Sequence, residues 1–276
     1  LLKSIVTKST VEFAKNPNYW DKDNVHIDKV KLSFWDGQDT SKPAENFKDG
    51  SLSAARLYPT SASFAELEKE MKDNIVYTQQ DSTTYVVGTN IDRQSYKYTS
   101  KTSEEQKTST KKALLNKDFR QAIAFGFDRT AYASQLNGQT GASKILRNIF
   151  IPPTFVQADG KNFGDMVKEK LVTYGDEWKD VNLADAQDGL YNPEKAKAEF
   201  AKAKTALQAE GVQFPIHLDM PVDQTATTKV QRVQSMKQSL EATLGTDNVI
   251  IDIQQLQKDE VLNVTFVVRS EEHTSE

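Results

Sequence analysis

Alternation of apolar and polar residues predicts β-strands at several places along the chain. In VKLSFW, the residues Val30, Leu32 and Phe34 fall on one face, as a half-buried strand requires. PIHLDM alternates in the same way, and NVIIDIQQL is predicted as the next strand along the chain. The run TTYVVGTN at 83–90 is rich in β-branched and aromatic residues and ends in small polar ones. The pattern therefore predicts strands in both halves of the chain.

Apolar residues that recur every third or fourth position predict helices in the first half of the chain. Ser63 and Glu66 have the spacing of a capping box and open the short helix FAELEKEMK. In NKDFRQAIAFGFDR, the residues Phe119, Ile123 and Phe127 form a stripe that is predicted to face a core. The polar stretch SYKYTSKTSEEQKTSTKK, which precedes this helix, is predicted to be a solvated excursion.

The second half of the chain shows two longer helical patterns. Asn192 and Pro193 are a strong helix start before EKAKAEFAKAKTALQAE, and Gly211 is the predicted residue after its end. A second pattern, KVQRVQSMKQSLEATLG, ends at Gly245. This helix lies between the strands PIHLDM and NVIIDIQQL, which is the order of a βαβ unit. At least this half is therefore predicted to be α/β with a partly parallel sheet.

Composition limits the classes of function. The chain has 276 residues, of which 37% are hydrophobic and 27% charged, with a net charge of -4. This is enough apolar material for a core, and weak acidity argues against nucleic-acid binding, which needs a basic face. The absence of cysteine excludes disulfides, thiolate catalysis and thiolate metal sites in this sequence. No apolar run is long enough to span a bilayer, and the first residues do not have the pattern of a signal peptide.

Candidate chemistry is sparse. His26, His217 and His273 do not have the spacing of metal ligands, so we predict no metal site and no cofactor. Motifs for nucleotide binding or for a serine nucleophile are also absent, and we predict no catalytic residue. Abundant carboxylates are interpreted as surface charge, although a pair of them is the requirement for glycoside hydrolysis. A carboxylate-dependent hydrolase therefore stays open as a weaker alternative.

Two stretches are candidates for ligand binding. ARLYPTSASF places Arg56 and Tyr58 at a predicted strand end, before a turn and a helix N-terminus with free N–H groups. Taken alone, this stretch favours an ordinary strand-to-helix turn over a ligand site. The loop IFIPPTF at 149–155 is apolar and stiffened by two prolines, and it either packs over a domain edge or borders a cleft.

Five motifs in a fixed order resemble the extracytoplasmic oligopeptide-binding proteins of ABC importers, and are close to the streptococcal Ami/Ali group. They are NPNYWD at 16–21, IDKVKLSFW at 27–35, FKDGSLSAARL at 47–57, NKDFRQAIAFGFDR at 116–129 and LYNPEKAKAEFAKA at 190–203. The family pattern of the fourth motif is matched by Asp118, Arg120, Ala122, Ile123, Asp128 and Arg129. Ser53 departs from the family, which usually has Asp there.

The resemblance implies an α/β fold of the periplasmic-binding-protein type II-like, two-lobe kind, present only in part. It assigns 1–82 to part of lobe I, 83–90 to a strand that crosses between the lobes, and 91–266 to part of lobe II. The last eight residues, RSEEHTSE, match the translation of a common sequencing adapter. We therefore expect 267–276 to be a non-native tail. We also expect the chain as written to fold poorly, because strands without partners leave open edges.

The family's role implies a non-enzymatic function. A receptor of this kind captures oligopeptides in a cleft between its lobes and delivers them to ABC permease subunits in the membrane. It works as a monomer on the extracellular face of the Gram-positive cell membrane, held by a lipid anchor on a cysteine upstream of Leu1. A surface adhesin or scaffold on the same fold is the alternative from a different class of function.

The resemblance also places ligand-binding residues along the cleft. An extended peptide could pair its main chain with the edge of TTYVVGTN, while roomy hydrated pockets accept varied side chains. Arg56 is the candidate partner for a ligand charge. The full set of predicted ligand-binding residues is Arg56, Tyr58, Ser61, Thr84, Tyr85, Val87 and Asn90.

Overall fold

The computed structural model describes residues 1–76, 83–267 and 273–275 of the chain. The chain divides into two compact units, Leu1–Ile75 and Val76–Glu276. The predicted boundary after residue 82 borders the undescribed stretch 77–82, so the assignment of the units to two lobes stays a prediction. Each unit is described by itself below.

The first unit is built on a three-stranded antiparallel sheet in the order β1-β2-β3. Its strands are β1 (Leu2–Val6), β2 (Thr10–Ala14) and β3 (Lys29–Ser33). The alternation in VKLSFW correctly predicted β3, whereas β1 and β2 were not predicted. Two short helices follow, α1 (Lys42–Lys48) and α2 (Phe64–Glu70), with single 3₁₀ turns at Lys22–Asn24 and Lys72–Asn74.

One face of this sheet is apolar across all three strands. Ile5 pairs with Val11, which pairs in turn with Leu32, and these three form one cross-strand row. A second row on the same face contains Leu2, Phe13 and Val30. Ile5 is 65% exposed and Leu32 is 55% exposed. The prediction that β3 is half-buried was therefore wrong, because nothing in the described part of the chain covers this face.

The capping box predicted at Ser63 and Glu66 was also wrong, although the helix that they were expected to open is present as α2. Ser63 has helical backbone angles, and its side chain makes no cap hydrogen bond. The N-cap hydrogen bond needs an extended N-cap residue. Leu67 is the buried residue of α2.

The second unit contains most of the regular structure. Its helices are α3 (Glu104–Leu115), α4 (Lys117–Gly126), α5 (Arg129–Ala142), α6 (Phe163–Leu171), α7 (Pro193–Ala209), α8 (Thr227–Leu244) and α9 (Lys258–Leu262). Its strands are β4 (Val87–Thr89), β5 (Gln157–Ala158), β6 (Lys161–Asn162), β7 (Ile216–Asp223), β8 (Val249–Leu256) and β9 (His273–Ser275). Single 3₁₀ turns lie at Ser143–Ile145, Val172–Tyr174 and Asp176–Trp178, and a π-helical turn follows α9 at Asn263–Val267. No helix in the described ranges is long and apolar enough to cross a membrane.

The core of the second unit is the βαβ unit that the sequence predicted. β7 and β8 pair in parallel, from Ile216 opposite Val249 to Asp223 opposite Leu256, and α8 connects them. The apolar residues of both strands face the helices, and Leu218 and Ile251 are completely buried. The face of α7 that carries Ala196, Phe200, Ala203 and Leu207 is buried as well.

Side-chain caps define where the central helices begin. Asn192 accepts a hydrogen bond from the backbone N–H of Lys195, so α7 starts where the Asn-Pro pair predicted it. Asn116 caps α4 and Asp128 caps α5 in the same way. The pattern NKDFRQAIAFGFDR was predicted as one helix, but it contains two, because Asp128 is extended and opens a new helix.

A carboxylate buried on β7 holds the segment that follows β4. Asp219 Oδ2 accepts hydrogen bonds from Arg93 Nη1 at 2.6 Å, Lys101 Nζ at 2.9 Å and Thr99 Oγ1 at 2.6 Å. The backbone N–H of Ser100 donates to Oδ1 at 3.0 Å. The Asp219 side chain is 1% exposed and that of Lys101 is fully buried. The prediction of a solvated excursion was therefore wrong, because its first part packs on the sheet and most of the rest forms α3.

This environment sets the ionisation of Asp219. Burial alone would raise its pKa, but the charge of Lys101 and the hydrogen bonds from Thr99, Ser100 and Arg93 outweigh burial and hold the pKa far below its ordinary value of 3.8. A carboxyl whose pKa is lower in the folded state stabilises that state above its unfolded pKa. The contribution is lost as the pH falls below that ordinary value towards the folded pKa. The second unit is therefore expected to lose stability in acid.

Replacing Asp219 by Asn tests the importance of this buried charge cluster. The substitution leaves Arg93 and Lys101 buried without the carboxylate, which costs about 3–5 kcal/mol of unfolding free energy. Urea titration followed by circular dichroism measures the change. Asp92→Asn is the matched control, because Asp92 pairs with Lys111 on the surface and such pairs contribute little. Equal urea-unfolding midpoints for D219N and D92N would show that the buried charge cluster around Asp219 does not stabilise the second unit.

The apolar face of the first unit predicts binding of a hydrophobic dye. Changing Ile5 and Leu32 together to Thr should lower the fluorescence of a bound naphthalene sulfonate dye roughly in proportion to the apolar area removed. Ser4 and Lys31 belong to the row on the opposite face, which is polar. Their double change to Thr is the control and should leave the signal unchanged. A signal that responds equally to both double variants would show that the dye binds elsewhere.

Candidate ligand-binding site

The predicted ligand-binding residues lie in both units. Arg56, Tyr58 and Ser61 belong to the first unit, and the second contains Thr84, Tyr85, Val87 and Asn90. Their role in ligand binding stays a prediction. Their local environments, described in turn, show which side chains are available to a ligand and which are held by the protein.

In the first unit, an aromatic side chain is held between a cation and a second ring. The Arg56 guanidinium lies 4.9 Å from the centre of the Tyr58 ring. The same ring lies 5.4 Å from the Trp35 ring, tilted by 47°. Trp35 is fixed by a hydrogen bond from its Nε1 to the carbonyl of Asp39 at 3.0 Å. Arg56 is exposed, so its charge is accessible to an anionic group while Tyr58 limits its orientation.

The backbone around this cluster differs from the prediction. Arg56 and Tyr58 were expected at a strand end, but residues 55–58 have no regular structure and lead into a turn. The carbonyl of Tyr58 accepts from the N–H of Ser61 at 2.9 Å, and the carbonyl of Ser61 accepts from Phe64 at 3.1 Å. Ser61 is buried, and its hydroxyl has no hydrogen-bond partner among the described residues. Ser61 therefore shapes the turn that carries Tyr58.

In the second unit, the predicted strand 83–90 is shorter than expected. Only Val87–Thr89 is a strand, and it pairs antiparallel with His273–Ser275. One edge of β4 thus accepts an extended backbone segment. Val87 packs against the core, and the Asn90 side chain accepts a hydrogen bond from the N–H of Asp92 at 3.1 Å where the strand ends.

Residues 83–86 lie outside the strand, and Thr83 and Thr84 bond to a loop. Arg147 Nη1 donates to the carbonyl of Thr83 at 3.2 Å and to Thr84 Oγ1 at 2.9 Å. The Thr84 hydroxyl donates in turn to the carbonyl of Phe150 at 2.7 Å. Tyr85, the next residue, is 76% exposed. Among the four residues predicted in this unit, Tyr85 is therefore the most accessible to a ligand.

The loop that binds Thr84 is itself held by a polar network. Arg129, from the DR pair at the start of α5, forms a two-pronged contact with the carboxylate of Asp188. The same guanidinium donates to the carbonyl of Arg147 at 3.1 Å and to Asn148 Oδ1 at 2.6 Å. Asn148 Nδ2 donates to the carbonyls of Ala184 at 2.7 Å and Gln187 at 3.1 Å. The loop 146–150 is thus fixed to the start of α5 and to residues 184–188.

The loop IFIPPTF presents apolar side chains beside this network. Phe150 is 75% exposed, and Ile151 and Phe155 are exposed as well. Because the carbonyl of Phe150 accepts from Thr84, the loop and the Tyr85 segment are adjacent. The exposed rings of Tyr85 and Phe150 therefore belong to neighbouring segments of the second unit. The sequence signalled this loop only through its prolines and apolar residues, and it gave no signal for Arg147 or Asn148.

Groups suited to catalysis or metal binding are few in the part of the chain that the structure describes. No group of three or more His, Cys, Asp or Glu residues there could hold a metal ion. His217 Nδ1 lies 2.8 Å from Asp252 Oδ2, across the parallel pair β7 and β8. Sequence spacing did not reveal this pair, because its members are brought together by strand pairing. Both side chains are mostly buried, and the hydrogen bond between them accounts for the contact.

Comparison with known proteins identifies the family. The profile of the bacterial extracellular solute-binding proteins, family 5 Middle, matches residues 1–271. The chain belongs to this family. The chain is 94% identical over 266 residues to the oligopeptide-binding protein AliA of Streptococcus pneumoniae serotype 4, covering 96% of this chain and 40% of the relative. It is 73% identical over 270 residues to the oligopeptide-binding protein SarA of Streptococcus gordonii, covering 98% of this chain and 41% of that protein.

Solved structures show the same fold. Listeria monocytogenes OppA bound to peptide matches with a TM-score of 0.60 and 18% identity, over 100% of this chain and 45% of that one. An oligopeptide ABC transporter substrate-binding domain from Bacillus anthracis matches with a TM-score of 0.60 and 17% identity, over 100% and 44%. The expected fold, an α/β fold of the solute-binding proteins that is present only in part, is thereby confirmed. This chain spans about 40% of the length of the relatives it matches.

Asn148→Ala tests whether the loop 146–150 depends on the Asn148 amide. The substitution leaves the carbonyls of Ala184 and Gln187 without their donor, and we expect a loss of about 2–3 kcal/mol in unfolding free energy. Thermal and urea unfolding measure it. Asn162→Ala is the control, because the Asn162 side chain accepts a single exposed hydrogen bond from Gln157, and its removal should cost less than about 0.5 kcal/mol. Similar losses in both variants would contradict this role.

Proposed function

We propose that the full-length protein containing this chain is the extracellular receptor of an ABC importer and that it captures oligopeptides. The single observation that carries the proposal is the 94% identity to a protein named as oligopeptide-binding, over 96% of this chain. The family match to extracellular solute-binding proteins supports the extracellular location. The receptor works as a monomer, is held at the Gram-positive membrane by an upstream lipid anchor, and passes peptide to the permease subunits without cleaving it.

The environments of the predicted residues suit peptide recognition. An extended peptide satisfies its main-chain N–H and C=O groups by pairing with a strand edge, and β4 has an edge that pairs with an extended segment. Because main-chain hydrogen bonds do not depend on the identity of the side chains, peptides of different sequence can pair with the same edge of β4. Tyr85 and Arg56 supply exposed aromatic and cationic groups, which are common anchors in protein recognition.

The ligand roles of the seven predicted residues differ in this proposal. Tyr85 and Arg56 contact the peptide directly, the latter through a carboxylate of the ligand. Val87 and Asn90 belong to the strand and its end, where they shape the pairing edge. Thr84 and Ser61 hold the backbone in place. Tyr58 positions the side chain of Arg56. An adhesin or scaffold role on the same fold, or a hydrolase, would not need an exposed aromatic side chain beside a pairing edge.

Substitution of Tyr85 in the full-length protein tests the proposal. Tyr85→Ala should weaken peptide binding about tenfold, as loss of an aromatic anchor does, without lowering the melting temperature, because the side chain is exposed. Tyr174→Ala is the matched control, since Tyr174 is also exposed and lies after α6. Binding of a synthetic peptide library is measured by mass spectrometry of the retained peptides and by calorimetry with those recovered.

Three outcomes would contradict the proposed function. Retention of no peptide by the wild-type protein would exclude peptide capture. Recovery of cleaved peptides, with cleavage abolished by a single Asp or Glu substitution, would indicate a hydrolase. Binding of a macromolecule with no peptide retained would indicate an adhesin or scaffold.

A further inference from the structure

The guanidinium of Arg147 joins the segment that precedes β4 to the loop 146–150. Its side chain is 6% exposed, and its Nε lies 3.4 Å from Asp185 Oδ2. One nitrogen, Nη1, donates both to the carbonyl of Thr83 and to the hydroxyl of Thr84. A mostly buried cation with these partners has a defined position, because moving it would separate the charge from Asp185 and break both hydrogen bonds.

The loop 146–150, which contains Arg147, is fixed independently of Thr83 and Thr84. The carbonyl of Leu146 accepts from the N–H of Ala186 at 2.9 Å. The carbonyl of Arg147 accepts from Arg129 at 3.1 Å, and Asn148 is hydrogen-bonded on both sides of its amide. The segment 83–86 is attached to the loop 146–150 through the Arg147 side chain and through the hydrogen bond from the Thr84 hydroxyl to the carbonyl of Phe150.

We propose that Arg147 is a positioning residue for ligand binding: by holding Thr83 and Thr84, it fixes the backbone from which Tyr85 and the edge of β4 meet the peptide. The inference rests on the proposed function and deepens it. Arg147 does not contact the ligand in this scheme. It keeps the segment 83–86 in the one arrangement that continues into β4 at Val87, so that this arrangement does not have to be selected when the peptide arrives.

The expected size of the effect follows from population arithmetic. The apparent affinity of a receptor falls in proportion to the fraction of molecules in the binding-competent arrangement. Loss of the Arg147 hydrogen bonds to Thr83 and Thr84 lowers that fraction, and hydrogen bonds to a charged group are strong enough for a change of about tenfold. The rate of peptide dissociation should change less than the affinity, because the bound peptide itself holds the strand edge.

Arginine and lysine differ at this position. A lysine ammonium keeps the charge that faces Asp185 but does not have the planar fork of donors that arginine has. Arg147→Lys should therefore recover part of the affinity that Arg147→Gln loses. If Arg147 acted only through global stability, the peptide affinity of every variant would follow its melting temperature.

The experiment uses the full-length protein and a synthetic peptide library as the probe. R147Q, R147K and wild type are compared for peptide affinity and for hydrogen exchange of the amides at 83–89 without peptide. Arg120→Gln is the matched control, because Arg120 also donates to a backbone carbonyl, that of Leu114, but at the junction of α3 and α4. We expect R147Q to lose about tenfold in affinity and to exchange faster at 83–89, R147K to be intermediate, and R120Q to change neither.

Other outcomes overturn the inference. Wild-type affinity in R147Q would show that Arg147 does not position the ligand site. Equal losses in R147Q and R120Q, in proportion to their melting temperatures, would reduce Arg147 to a general stabilising residue. Failure of the wild type to retain any peptide would overturn the proposed function and with it this role. Unchanged exchange at 83–89 in R147Q would show that Arg147 does not hold the segment, whatever the ligand.

Discussion

The carboxylate of Asp219 is buried on β7 between the guanidinium of Arg93 and the ammonium of Lys101. A buried carboxylate without such partners is strongly unfavourable, so the segment that carries both cations has to lie against the sheet. Because of this constraint, the segment that leaves β4 and leads into α3 lies against β7. The end of β4 and the start of α3 are the segments on either side of these contacts, and both are positioned by them.

β4 is consequently held from both directions. After the strand, Arg93 binds Asp219; before it, Arg147 binds the carbonyl of Thr83 and the hydroxyl of Thr84. The short strand between them keeps an edge that pairs with extended backbone, and Tyr85 stays exposed. In the proposed function, such an arrangement suits peptides of varied sequence, because the affinity would come from a rigid main-chain edge while the accessible side chains leave room for variation.

The two units differ in how their apolar residues are used. In the second unit, apolar residues of β7 and β8 are covered by helices within the same unit. In the first unit, the row of Ile5, Val11 and Leu32 is not covered by other described residues, and Trp35 packs against Tyr58. This chain spans about 40% of its relatives, whose printed names describe oligopeptide-binding proteins. With this exposed face and partial length, the proposed function is a property of the full-length protein.

The sequence by itself determined the elements whose signals are local. Asn192 caps α7, Gly245 ends α8, and the apolar patterns of the sequence predicted β7, β8 and the helix between them. Only the tertiary structure decided which polar residues are buried and which partners they bond to. Lys101 is buried because Asp219, 118 positions away, faces it, and Thr83 and Thr84 are held outside the sheet by Arg147. Local patterns report which face of an element is apolar, whereas the burial of a charge depends on a partner that no local pattern identifies.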